Sequence, residues 1–195
     1  MNRMLRRRAR PWVIGLVAVG LVVAAAGMYW FQPWKLWVDE TVQEDLNVAV
    51  APQSPSAPTQ PSPDPEGTTV PPTPSGPQTL ATGTLISHEH ETSGTVRILR
   101  AADGTLVLRL EDLDTSNGPD LHVWVTDAPV KPGKDGWSVF DDGAYVSAGK
   151  LKGNKGSQNY ALPADFDLSR YSSVSIWCAR FSVSFGAAEL AKTPA

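Results

Sequence analysis

One thiol stands out in this chain of 195 residues. Cys178 lies in the stretch Ser173-Val174-Ser175-Ile176-Trp177-Cys178-Ala179-Arg180-Phe181, and no second cysteine exists to pair with it. An unpaired thiol has three uses: redox chemistry, ligation of a metal or haem through its thiolate, and packing as a small hydrophobe. Alternation decides which way it points. Val174, Ile176 and Cys178 share one face of a period-two pattern, and Ser173, Ser175 and Trp177 share the other. The sulfur is therefore predicted on the core face of a strand, next to a tryptophan. Phe181, Val183 and Phe185 alternate with Ser182 and Ser184 in a second half-buried run. The apolar phase slips near Ala179-Arg180, which predicts a bend or bulge there. Arg180, two positions beyond the thiol, is a candidate for favouring a thiolate.

The histidines come next. His88 and His90 stand at i and i+2, on one face of a strand. With His122 and Cys178 they would imitate the two-histidine, one-cysteine set of a blue-copper site. The domain has no methionine for the axial position, and no histidine follows Cys178. Exposed or packing histidines are the simpler reading, and no metal is expected. Tyr160, Trp124 and Trp177 are candidate electron-hopping aromatics, with core packing as the alternative. The acids of Glu111-Asp112-Leu113-Asp114 and Asp141-Asp142 lack calcium-loop spacing and read as solvated loops. The chain has no G-x-S-x-G, G-x-G-x-x-G, phosphate loop, H-E-x-x-H, C-x-x-C or C-x-x-C-H. Hydrolase, dinucleotide, dithiol and c-type haem chemistry therefore have no support, and no independent enzyme is evident.

Short strands must position these residues. Thr82–His88, Gly94–Arg100, Thr105–Leu110 and Leu121–Thr126 read as strands, and Ala101-Ala102-Asp103-Gly104 as a hairpin turn. Turns rich in Gly, Pro and Asp follow at Asn117–Asp120, Pro132–Gly136 and Gly153–Gly156. A single helical turn is expected over Ala187–Lys192. The fold class is all-β: an antiparallel β-sandwich over residues 81–195, long enough for one core. A net charge of −3 argues against a nucleic-acid partner.

The sandwich is preceded by an anchor and a linker. Residues 1–11 form an Arg-rich tail, with Arg3, Arg6, Arg7, Arg8 and Arg10 and no acid. Residues 12–31 are uncharged, and at helical rise they span about 30 Å, the thickness of a hydrocarbon core. Trp12 marks one end, and Tyr29, Trp30, Phe31, Trp34 and Trp37 crowd the other as an interfacial belt. The arginines predict a single-pass helix in the cell membrane, with a cytoplasmic N-terminus and an extracytoplasmic C-terminal domain. A cleaved signal peptide, with Ala24-Ala25-Ala26 as its site, is the alternative. Residues 32–50 are a juxtamembrane segment without a clear structural signal. Most of the chain's 17 prolines fall in residues 51–80. That segment reads as a disordered linker that holds the domain off the membrane, reaching at most roughly 90 Å in polyproline form. Starting the chain at Thr79 is accordingly expected to leave the stability unchanged.

These motifs occur in a telling order. His88 with Thr92-Ser93-Gly94-Thr95 comes first, then Asn117-Gly118-Pro119-Asp120-Leu121. Gly149-Lys150-Leu151-Lys152-Gly153-Asn154-Lys155-Gly156-Ser157-Gln158-Asn159-Tyr160 follows, then Ser173 to Phe181 and Phe185-Gly186. Together they resemble the DM-thirteen electron-transfer domain over residues 81–191. The resemblance implies a redox module acting through Cys178, as a naked thiol or as the axial ligand of a prosthetic group such as haem. Carried over, that role falls on Cys178 alone, with His88 a separate candidate cofactor-binding residue, and an unidentified redox partner protein is implied. The alternative is a non-redox binding or structural module of the cell envelope, with Cys178 as a core residue.

Overall fold

A computed structural model describes residues 11–46 and 76–193. The Arg-rich tail, apart from Pro11, and most of the proline-rich segment lie outside the described residues. Helix α1 (Pro11–Phe31) carries the apolar run and is long and apolar enough to cross a membrane. It ends at Gln32, whose φ of 45° breaks the helical path before a 3₁₀ turn at Pro33–Trp37.

Eleven strands follow among the described residues: β1 (Thr41–Gln43), β2 (Gln78–Thr84), β3 (Ile86–Ser87), β4 (Ser93–Arg100), β5 (Leu106–Asp114), β6 (Leu121–Thr126), β7 (Tyr145–Lys150), β8 (Lys155–Ala161), β9 (Ser173–Cys178), β10 (Val183–Glu189) and β11 (Ala191–Lys192). They form two sheets, ordered β1-β8-β5-β4-β2-β11 and β3-β10-β9-β6-β7. All pairs are antiparallel except β1 with β8. The expected all-β sandwich is what the chain forms.

Local differences have local causes. The first strand starts earlier than its alternation suggests and breaks at Leu85. Its pieces β2 and β3 belong to different sheets, with Leu85 N–H donating to the Gly94 carbonyl at 3.0 Å. The phase slip near Ala179-Arg180 is a tight turn between β9 and β10, with Ser182 at φ 51°, and a bulge follows between Ser184 and Gly186. The helical turn expected over Ala187–Lys192 is instead strand: β10 runs to Glu189, and β11 pairs with β2. Alternation of Ala188, Leu190 and the chain's return to the sheet edge outweigh local alanine propensity.

The core lies between the sheets: Val96, Ile98, Leu108 and Leu110 against Val123, Val125, Val174 and Ile176. A second cluster covers the outer face of the β9 sheet. There Phe140 of the 127–144 loop packs on Trp124, Trp177 and Ala187. Both faces of β9 are therefore buried, that of Ser173, Ser175 and Trp177 as well as that of Cys178.

β1 was not foreseen. It pairs parallel to β8, with Thr41 opposite Lys155 and Gln43 opposite Ser157. The chain before the proline-rich segment thus lies in the same sheet as the chain after it.

Candidate functional site

Cys178 ends β9 between Leu121 of β6 and Val183 of β10. Its side chain is fully buried in the main core, on the side of Val174 and Ile176. Burial pushes the thiol above its ordinary range. The backbone amides of Phe181, Arg180 and Asp120 face it and act in the opposite direction, while the Asp120 carboxylate adds to the rise. The sulfur is therefore a protonated thiol at neutral pH, sealed but surrounded by amide donors. The Arg180 guanidinium does not reach it. It lies 5.1 Å from the Trp30 ring centre and donates to the Trp30 carbonyl.

His88 is on the other side of the sheet. Its Nδ1 lies 2.8 Å from Ser184 Oγ and its Nε2 3.0 Å from the Lys131 carbonyl. A carbonyl only accepts, so Nε2 carries the proton and Nδ1 accepts from Ser184. Ser175 Oγ continues the chain to Ser184 at 2.9 Å. Burial lowers the pKa of His88, which keeps it neutral. Both ring nitrogens are engaged, and the structure does not bring His88 together with Cys178. His90 packs against the Phe185 ring at 3.9 Å, and His122 pairs with Asp120 at 3.1 Å. Among the described residues no group of three or more His, Cys, Asp or Glu is placed to hold a metal. A haem does not fit these donors either: the sulfur is enclosed by core side chains, and His88 has no free nitrogen.

The aromatics are arranged more suggestively. Trp177, next to Cys178 in sequence, stacks on Trp124 with centroids 5.1 Å apart. Trp124 stacks on Tyr145 at 3.9 Å and 10°. Tyr145 is 45% exposed, so the stack runs from a buried ring to the surface. Tyr145, beside a Gly- and Asp-rich turn, gave no signal in the sequence beyond its being aromatic. Tyr160 stands apart. Its hydroxyl donates to Gln158 Oε1 at 2.7 Å, and burial pushes its pKa up to about 12.

The Gln158-Asn159-Tyr160 motif does something else. Gln158, fully buried, ties down the Lys152–Gly153 turn through Gly153 O at 2.6 Å. Asn159 accepts from Arg109 at 2.8 Å and donates to the Asp45 carbonyl at 2.9 Å. The Asn159 amide also donates to Glu44 Oε2 at 2.7 Å, and Lys152 Nζ meets Glu44 Oε1 at 2.7 Å. Asn154 donates to Asp39 Oδ1 and Thr115 O. The motif is a clamp on residues 39–45.

Fold and site together define a small two-sheet β domain built around one sealed thiol. The family model described as "Electron transfer DM13" matches residues 84–190, more than half of the chain, and the chain belongs to that family. That membership makes it a redox module in the coarse sense. No curated protein and no solved structure matched the chain.

Proposed function

We propose that the chain is a membrane-anchored, extracytoplasmic electron-transfer module in which Cys178 is the redox residue and the Trp177–Trp124–Tyr145 stack links its strand to a surface partner. Family membership supplies the activity. The observation that carries the finer reading is the stack itself: rings 5.1 and 3.9 Å apart, ending on an exposed tyrosine. Close parallel rings give strong electronic overlap, and Trp177, at the buried end, is the chain neighbour of the thiol on the opposite face of β9. The anchor is α1, whose uncharged length suits one crossing, and the arginines before it favour a cytoplasmic N-terminus.

A second reading has its own support. Full burial and a raised thiol pKa are what a cysteine used as core filler shows, which would make the domain a non-redox binding or structural module. One experiment separates the two. Electron exchange between the purified full chain and a one-electron acceptor is followed for wild type, Cys178→Ala and Tyr145→Phe, with folding checked by circular dichroism. The redox reading expects each folded variant to lose about tenfold or more in rate, about 1.4 kcal/mol in barrier. A folded Cys178→Ala protein that exchanges electrons at the wild-type rate removes the thiol from the mechanism.

A further inference from the structure

The sandwich end that holds Cys178 lies against the end of α1. Phe181, in the turn after β9, stacks on Phe31 with centroids 5.9 Å apart and an interplanar angle of 17°. Arg180 caps the helix end through the Trp30 carbonyl and ring. Phe181 nevertheless remains 45% exposed, and its exposed neighbours are Phe31 at 56% and Trp30 at 58%. Trp34 and Trp37, in the turn after the helix, are 45% and 79% exposed. Phe31 and Phe181 also line a cleft, together with Pro33, Lys35, Pro119 and Phe185. A soluble domain rarely shows such a concentration of bare aromatic rings without a partner.

The position on the chain identifies the partner. Phe31 is the last residue of the helix long and apolar enough to cross a membrane. Trp30, Phe31, Trp34 and Trp37 therefore fall where aromatic side chains sit at the headgroup level. A ring stacked on Phe31 is at that level too. Arg180 and Lys35 add positive charge there, against the Glu89 carboxylate at the cleft margin. The placement is held rather than incidental. Only Val38–Glu40 separate the 3₁₀ turn from β1, and β1 is clamped into the sandwich. The domain has no free tether on which to lift away.

We propose that the Cys178 end of the sandwich is a lipid-contact surface, with the Arg180–Phe181 turn seated in the bilayer interface. The inference rests on the reading of α1 as a membrane anchor. It places the sealed thiol next to the membrane and the exposed end of the aromatic stack elsewhere: Tyr145 pairs with Thr126, at the opposite end of β6 from Leu121, the partner of Cys178.

The test uses the full chain reconstituted into vesicles of phosphatidylcholine and phosphatidylglycerol. A benzophenone amino acid replaces Phe181 in one preparation. In another it replaces exposed Ser169, which precedes the opposite end of β9. Co-flotation with the vesicles reports the anchor, and photo-adducts with lipid, counted by mass, report contact. The expected result is flotation of both proteins with lipid adducts several-fold more abundant at position 181 than at 169. Flotation with equal, low adduct yields at both sites overturns the lipid-contact surface and leaves the anchor standing. Failure to float overturns both.

Discussion

At the scale of the residue, Cys178 is a thiol held in a sealed place by its strand phase. That phase was legible, because Val174, Ile176 and Cys178 alternate without a break. Its surroundings were not. Arg180 turns to the Trp30 ring, and His88 spends both nitrogens on Ser184 and Lys131, partners 96 and 43 positions away. Local pattern carries no trace of such distant pairs. Cys178→Ala is expected to cost about 1–2 kcal/mol, measured by denaturant unfolding, because the methyl leaves a small void in a packed core. Cys178→Ser should fall close to Cys178→Ala. The amides of Arg180 and Asp120 already face that position and can donate to a hydroxyl oxygen. A serine variant that fails to fold would show those amides to be unavailable. His88 gives a pH test. Burial holds its folded pKa below the ordinary 6.5, so the unfolded chain binds the proton more readily. Stability contributed by His88 is complete above pH 6.5 and declines as the pH falls through and below that value. In His88→Gln, whose amide retains donor and acceptor capacity, that part of the slope should vanish. An unchanged slope would mean that other groups titrate there.

At the scale of the element, the departure from expectation is β1. The sandwich strands announced themselves by alternation, whereas Thr41–Gln43 is three residues among acids and pairs with a strand more than a hundred positions later. Its receptor was visible as a motif but not as a receptor. Gly153 and Gly156 make room for it: a side chain at Gly153 would strike the Glu40 carbonyl, and one at Gly156 the Val42 carbonyl. Gly156 also has φ 94°, where a β-carbon is strained. Gly153→Ala should therefore dislodge β1 and lower stability by about 1–2 kcal/mol without disturbing the sandwich. For the same reason a chain starting at Thr79 should melt several degrees below one starting at Asp39, contrary to the sequence-based expectation, since roughly 1 kcal/mol moves a domain of this size by about 4–8 °C. Equal midpoints would show that β1 adds nothing. The clamp also has an acid limit. The Lys152 ammonium, then the Asn159 amide, holds Glu44 below its usual 4.5. A depressed carboxylate stabilises above its unfolded value and loses that contribution as the pH falls through its folded one. The difference between the two chains should shrink below about pH 4.5 and stay constant above it.

At the scale of the whole molecule, β1 bears on what the proline-rich segment connects. As a linear sequence, anchor, proline run and domain read as foot, mast and head. The structure places residues on both sides of the proline run in one sheet, β1 at its edge and β2 four strands further in. With α1 as the proposed anchor, distance from the membrane is then set by Gln32–Glu40, and residues 47–75 connect two strands of one sheet. Strand order gives its minimum span: four inter-strand steps of about 4.8 Å, or about 19 Å across the sheet. About ten extended residues cover roughly 33 Å, enough for that span and the turns at each end. Removing residues 54–68 from the full chain should therefore leave both the fold and the height of the domain unchanged. A dye at Ser169, paired by energy transfer with a dye in the lipid headgroups, reads that height directly. A mast shortened by fifteen residues of polyproline would lower the domain by up to about 46 Å, whereas a loop shortened by the same amount leaves the transfer efficiency where it was. If efficiency rises on deletion, β1 does not hold in the membrane, and the lipid contact at Phe181 loses the clamp that keeps it there.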